Sequence, residues 1–160
     1  MVASSTRFGG RTAAVTAALV MGAFSLGVVN PSSAHAGTQD VVNTFRNQSS
    51  GDCLDVFGVR YGPTTVPCNG NVEQNWNVHV WADNTRELKS LSNGECLDDS
   101  DAYGLRIYPC NASPWQSWYV HRWNDGTIEL KNQATGRCLG EGDTGLWTYP
   151  CSSSPYQSWY

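Results

Sequence analysis

The chain is 160 residues long and carries ten basic side chains, fourteen acidic ones and six cysteines. Beyond residue 36 no Lys/Arg cluster occurs, which argues against nucleic acid or another polyanion as partner and suits a ligand that is neutral or not selected by charge.

Residues 1–36 read as an export signal. Arg7 and Arg11 form a positive start, residues 13–29 are almost wholly apolar or small, Pro31 breaks the run, and Ala34-His35-Ala36 supplies small residues before a cleavage point. An uncleaved anchor is the competing reading, because the apolar run is near the lower length limit for spanning a bilayer. The small-x-small ending has no purpose in an anchor and favours cleavage. Removal of the signal leaves residues 37–160 as one domain with a modest core. The expected product is a secreted, extracellular monomer with no membrane span.

Three landmarks then recur in step. Cys53, Cys68 and Gln74-Asn75-Trp76 are followed by Cys96, Cys110 and Gln116-Ser117-Trp118, and these by Cys138, Cys151 and Gln157-Ser158-Trp159. Copies of each landmark are 41–43 residues apart, the mark of a threefold internal repeat, with units at about 41–82, 83–125 and 126–160. Six cysteines behind an export signal indicate an oxidising compartment. Many pairings are formally open, and threefold symmetry selects Cys53 with Cys68, Cys96 with Cys110, and Cys138 with Cys151. Closing each such loop is worth about 3 kcal/mol in the chain-entropy model. None of the cysteines has the short separation of a zinc knuckle, and His79 and His121 lie in separate units, so neither a metal nor another cofactor is expected.

Between the landmarks, short apolar runs alternate with Asn/Asp/Gly/Ser turns. Val-His-Val-Trp at 78–81, a turn at 82–84 and Thr-Arg-Glu-Leu-Lys at 85–89 have counterparts at 120–123, 124–126 and 127–131, and each unit enters its first cysteine through a turn bearing Gly51, Gly94 or Gly136. The pattern reads as all-β, and no stretch past residue 36 sustains a helical period. About four strands per unit would also suit a propeller blade, but three units are too few to close a propeller. Four strands taken three times and closed on a threefold axis make a β-trefoil with pseudo-threefold symmetry and one disulfide per repeat. Trp76, Trp118 and Trp159 would then form a shared layer at the axis.

Cys-Leu-Asp-Val at residues 53–56 and Cys-Leu-Asp-Asp at residues 96–99, each followed by a second cysteine and a Gln-x-Trp, resemble the ricin B-chain type lectin domain, over about residues 41–160. The resemblance implies a β-trefoil of the kind appended to many bacterial glycosidases as a carbohydrate-binding module. It also implies a pocket in each unit made from the Asp after Cys-Leu, an aromatic two residues before the second cysteine, a polar residue two before that, and an Asn ahead of the Gln. A sugar ring offers a rim of hydroxyls and an apolar face, which a carboxylate and an aromatic plate complement.

On that pattern the second unit is the best candidate. Asp98 is the acceptor, Tyr108 the plate, Gln116 a brace for Asp98, Arg106 takes the polar position, and Trp115 replaces the Asn as a second aromatic wall. The first unit keeps Asp55 and Gln74, but Val66 replaces the plate and Glu73 the Asn, leaving Tyr61 as a lateral substitute. The third unit has Trp147, Tyr149 and Gln157, but Gly140 stands in the acceptor position, so Glu141 or Asp143 would have to supply the carboxylate.

No Ser-His-Asp set, no cysteine left free by the disulfides and no zinc-type His-Glu-x-x-His is present, and catalysis is not expected. Paired carboxylates around Asp98, Asp99 and Asp101 would be the formal exception. The expected function is that of a secreted, non-catalytic carbohydrate-binding protein for galactose- or xylose-type sugars or plant-type polysaccharide. The alternative, kept open by loss of the Asn position in all three units, is a trefoil with decayed sugar sites that binds a protein, for example as a protease inhibitor or a cell-surface ligand.

Overall fold

The computed structural model describes residues 40–56 and 62–160; the expected export signal and Tyr61 lie outside the described residues. Among the described residues eleven strands follow one another: β1 Val41–Asn43, β2 Cys53–Val56, β3 Pro63–Val66, β4 Trp76–Val80, β5 Arg86–Ser90, β6 Cys96–Ser100, β7 Gly104–Tyr108, β8 Trp118–Arg122, β9 Ile128–Asn132, β10 Arg137–Gly142 and β11 Gly145–Pro150. A single 3₁₀ turn carries each Gln of the Gln-x-Trp motifs, at Val72–Gln74, Pro114–Gln116 and Pro155–Gln157.

These elements form a β-trefoil. β1, β4, β5, β8 and β9 pair antiparallel in that order. Trp159 then bridges Ile128 on one side and Asn47 on the other, which closes the ring and gives the third repeat its fourth strand position. The hairpins β2–β3, β6–β7 and β10–β11 are the three caps, one per repeat.

The turn into each cap repeats in detail. Gly51, Gly94 and Gly136 have φ of 80°, 75° and 69°, a region that favours glycine. Each donates its N–H, at 3.0 Å, to the carbonyl four residues earlier, on Asn47, Ser90 and Asn132.

The core is layered by the same symmetry. Phe45, Leu88 and Leu130 form one layer, Trp76, Trp118 and Trp159 the next, and Leu54, Leu97 and Leu139 the third, all buried. Each indole donates Nε1–H to the carbonyl of the leucine in its own cap, Leu54, Leu97 or Leu139, at 3.2, 3.1 and 3.1 Å. That bond satisfies the one polar atom of a fully buried ring, whose apolar area contributes on the order of 5 kcal/mol. The disulfides are Cys53–Cys68, Cys96–Cys110 and Cys138–Cys151, one within each repeat.

Neighbouring repeats are joined through the residue three positions after the first cysteine. In the second repeat this is Asp99, fully buried, which accepts from Arg137 Nε at 3.1 Å, Arg137 Nη2 at 2.9 Å, Thr148 Oγ1 at 2.8 Å and Thr135 Oγ1 at 2.5 Å. In the third it is Glu141, which accepts from Ser50 Oγ of the first repeat at 2.6 Å. The first repeat has Val56 there, buried in the core.

Candidate functional site

Strand register decides which side chains meet in each cap. The first cysteine pairs with the residue two before the second cysteine, so the position after Cys-Leu pairs with the residue two earlier still. The three resulting pairs are Asp55 with Thr64, Asp98 with Arg106, and Gly140 with Trp147. One position in the repeat thus has three different occupants.

In the second cap the expected acceptor, polar residue and plate do come together, but they satisfy one another. Asp98 is buried to 1% exposure, and its Oδ1 accepts from Arg106 Nε at 2.8 Å. The guanidinium carbon lies 4.1 Å from the centroid of the Tyr108 ring and 4.7 Å from that of Tyr103. Arg106 therefore bonds to the carboxylate and stacks on the plate, the two contacts the resemblance assigns to a sugar. Tyr103 was not singled out by the sequence; it belongs to the turn between β6 and β7, and no motif marks it.

Gln116 does not hydrogen-bond Asp98. Its Nε2 donates to the Pro109 carbonyl at 3.0 Å, and its Oε1 accepts the Asn111 N–H at 2.8 Å, so the amide clamps the two residues that flank Cys110. Gln74 holds Pro67 and Asn69 in the same way, and Gln157 holds Pro150 and Ser152. The Gln of the motif thus fixes the exit of each cap. Trp115 is half-buried, and its carbonyl accepts from Asn132 Nδ2 at 2.8 Å, which ties its backbone to the third repeat.

The first cap has an acceptor but, among the described residues, no plate. Asp55 is 2% exposed and its Oδ1 has no hydrogen-bond partner. Burial pushes its carboxyl above the ordinary value, the Gln74 amide opposes that shift, and the Glu73 charge adds to it. Val66 is half-buried at the plate position.

The third cap has plates without that acceptor. Trp147 lies against Gly140, where an added Cβ would stand 2.7 Å from the indole, and its ring is edge-on to Tyr149 at 5.5 Å. Tyr149 is 65% exposed. A hollow of about 420 Å³ is lined by Thr144, Trp147, Thr148 and Tyr149. Glu141 is not its acceptor: successive strand residues face opposite sides, so the residue after Gly140 turns away toward Ser50. Asp143 is exposed in the β10–β11 turn.

The three carboxylates that were the formal candidates for a catalytic pair are otherwise engaged. Asp98 holds Arg106, Asp99 holds Arg137 and two threonines, and exposed Asp101 lies 3.4 Å from Arg137 Nη1. No helix among the described residues is long and apolar enough to cross a membrane.

Comparison with known proteins agrees with this architecture. A designed threefold-symmetric protein, ThreeFoil, superposes with a TM-score of 0.67 at 20% identity, covering 74% of this chain and 95% of that one. The hemolytic lectin CEL-III gives 0.64 at 25% identity, over 76% of this chain and 30% of that one. A GlcNAcα1-4Gal-releasing endo-β-galactosidase from Clostridium perfringens gives 0.67 at 12% identity, over 74% and 31%. The chain thus spans less than a third of the lectin and of the galactosidase. No curated protein matches its sequence at a significant level. The sequence profile of the ricin-type beta-trefoil lectin domain matches residues 41–159. With three Gln-x-Trp repeats, one disulfide in each and a shared tryptophan layer, the chain belongs to the ricin-type β-trefoil lectin domain family.

Proposed function

We propose that the protein is a secreted, non-catalytic carbohydrate-binding protein that receives a galactose- or xylose-type unit of a glycan in its third cap. The observation that carries this reading is the hollow of about 420 Å³ walled by Trp147 and Tyr149, a size within the usual range of small-ligand pockets. The apolar face of a sugar lies on Tyr149, with Trp147 behind it, while the Thr144 hydroxyl and the Asp143 carboxylate serve the hydroxyl rim. So open a site binds weakly, with Kd on the order of millimolar, about −4 kcal/mol.

The second cap, Asp98, Arg106 and Tyr108 on the framework of Trp115 and Gln116, is a sugar site held shut by its own arginine. The first cap, with Asp55 and Gln74 but no plate among the described residues, contributes least. Three disulfides support export into an oxidising compartment. The commitment of Asp98, Asp99 and Asp101 to arginines supports a non-catalytic role. That related trefoils form part of a lectin and of a glycosidase supports glycan binding as the task of the module.

The test is a titration of the protein with galactose, xylose and soluble xylan, followed by tryptophan fluorescence. A saturable change that disappears in Tyr149→Ala is expected. Occupation of Asp98 by Arg106 favours the second reading, a protein-binding trefoil. A flat titration with an intact fold, together with capture of culture-fluid proteins in place of polysaccharide resin, would establish that reading instead.

A further inference from the structure

The outer face of the β8–β9 hairpin carries a second hollow, outside the caps. It measures about 340 Å³ and is lined by Tyr119, Val120, His121, Trp123, Glu129 and Lys131. Strand alternation explains the composition: Tyr119, His121 and Trp123 follow one another at every second residue, and His121 and Tyr119 pair across the hairpin with Glu129 and Lys131. The His121 and Trp123 rings meet edge to face with centroids 4.2 Å apart.

Two of the residues that line this hollow each have a buried polar atom without a partner. Glu129 is 8% exposed, and its Oε2 is buried with no hydrogen bond; Trp123 Nε1 is likewise buried and unpartnered. The reason is local. The Glu129 carboxylate is beside the Cys138–Cys151 disulfide, with one oxygen and both sulfurs within 4.8 Å of one another, and a disulfide has no proton to donate. Buried polar atoms are nearly always paired; because Trp81 Nε1, at the equivalent position of the β4–β5 face, is unpartnered as well, it is the open Glu129 acceptor beside the hollow that points to a missing ligand.

The pseudo-equivalent face, on the β4–β5 hairpin that runs from the first repeat into the second, shows what covers such a surface. On β4–β5 the same positions hold Asn77, His79, Trp81, Glu87 and Lys89, and there the chain's own Asp40 lies across the face. Its carboxylate accepts from Asn77 Nδ2 at 2.9 Å and meets His79 Nδ1 at 2.7 Å. In the second repeat Tyr119 replaces Asn77, and no segment among the described residues is hydrogen-bonded to His121 there.

We propose that the β8–β9 face is a second saccharide site, distinct from the three caps, which takes a neutral sugar unit with vicinal hydroxyls. One hydroxyl donates to Glu129, its neighbour accepts from Trp123 Nε1–H or Lys131, and the ring's apolar face rests on Tyr119. The outer torsion of a glutamate is soft, so a small rotation brings the open oxygen to the hollow. A cationic ligand would meet Lys131, and an anionic one Glu129, whereas a polyol suits both. The inference rests on the glycan-binding reading above and adds a second point of attachment to it.

The test follows the seven indole N–H resonances of the ¹⁵N-labelled protein during titration with xylotetraose and with methyl β-galactoside. The Trp123 peak, identified by its loss in Trp123→Phe, is expected to shift saturably, with a midpoint different from that of Trp147. In Glu129→Gln, a near-isosteric change, the Trp123 midpoint should weaken at least about tenfold while the Trp147 midpoint and the core Trp76, Trp118 and Trp159 peaks stay in place. Movement of Trp147 without Trp123, or an unchanged Trp123 midpoint in Glu129→Gln, overturns this inference and leaves the cap reading standing. Movement of neither peak with either sugar overturns both.

Discussion

Trp147 occupies the volume that an aspartate side chain fills in the other two repeats: a Cβ on Gly140 would stand 2.7 Å from two indole carbons and 2.9 Å from Gln157 Cγ. Acceptor and large plate exclude each other at this cross-strand pair, which is why the third cap has its aromatic wall at the cost of the family carboxylate. Gly140→Ala should therefore displace Trp147 and destabilise the protein by about 1–3 kcal/mol. The same variant should lose the xylan response. Urea unfolding and the fluorescence titration check the two effects separately.

Arg106 is the corresponding occupant in the second cap. Arg106→Ala uncovers the Tyr108 ring and frees Asp98 Oδ1, restoring the acceptor-and-plate pair that the resemblance assigns to a sugar site. The expected outcome is a gain: a further saturable site for galactose or xylose, seen as a new set of amide shifts in β6–β7. An unchanged number of sites would show that Arg106 does not close the cap.

Asp98→Ala acts on stability, through its pair with Arg106. The carboxylate is buried while the guanidinium is 28% exposed, so the variant leaves a half-shielded charge without its partner. A loss of about 1–3 kcal/mol is expected in thermal or urea unfolding. Asp99→Ala should cost more, about 3–5 kcal/mol, because it removes a fully buried acceptor of four hydrogen bonds that joins the second and third repeats.

Asp55 gives a pH signature. Burial, opposed by the Gln74 amide and helped by Glu73, raises its carboxyl above the ordinary 3.8, so the folded state holds this proton more tightly than the unfolded state. The stability this adds is complete below the ordinary value and is lost as pH rises through the folded value. Asp83 and Asp125 behave oppositely. The Thr85 and Thr127 hydroxyls, then their N–H groups, hold these carboxyls low, so their contribution is present above 3.8 and is lost as pH falls through the folded values. Asp55→Asn removes only the first effect. Its melting temperature should exceed that of the parent at neutral pH, with the gap narrowing on acidification to about pH 4; curves parallel across that range would contradict the assignment.

The fold was legible because its determinants are local and triplicated. Cysteine spacing chose the disulfides, and the Gln-x-Trp tryptophans are the buried layer that the repeat required. The sites were less legible because they depend on register. Counting inward from the Cys96–Tyr108 pair would have set Asp98 opposite Arg106, and strand alternation would have sent Glu141 away from the third cap. The role of Gln116 was misread because a long amide can reach several partners, and only its backbone path from the 3₁₀ turn selects Pro109 and Asn111. Nothing in the sequence marks Tyr103 or the unpaired Glu129, since both depend on how distant side chains are oriented.

Glycan-array binding of the labelled protein beside its Tyr149→Ala variant tests the central claim most directly, because Tyr149 is largely exposed and its loss leaves the core untouched. Retention on galactose- or xylose-bearing glycans by the parent, and loss of most of it in the folded variant, is the predicted result. Retention on no glycan, or equal retention by both proteins, would contradict the assignment of the third cap as the sugar site.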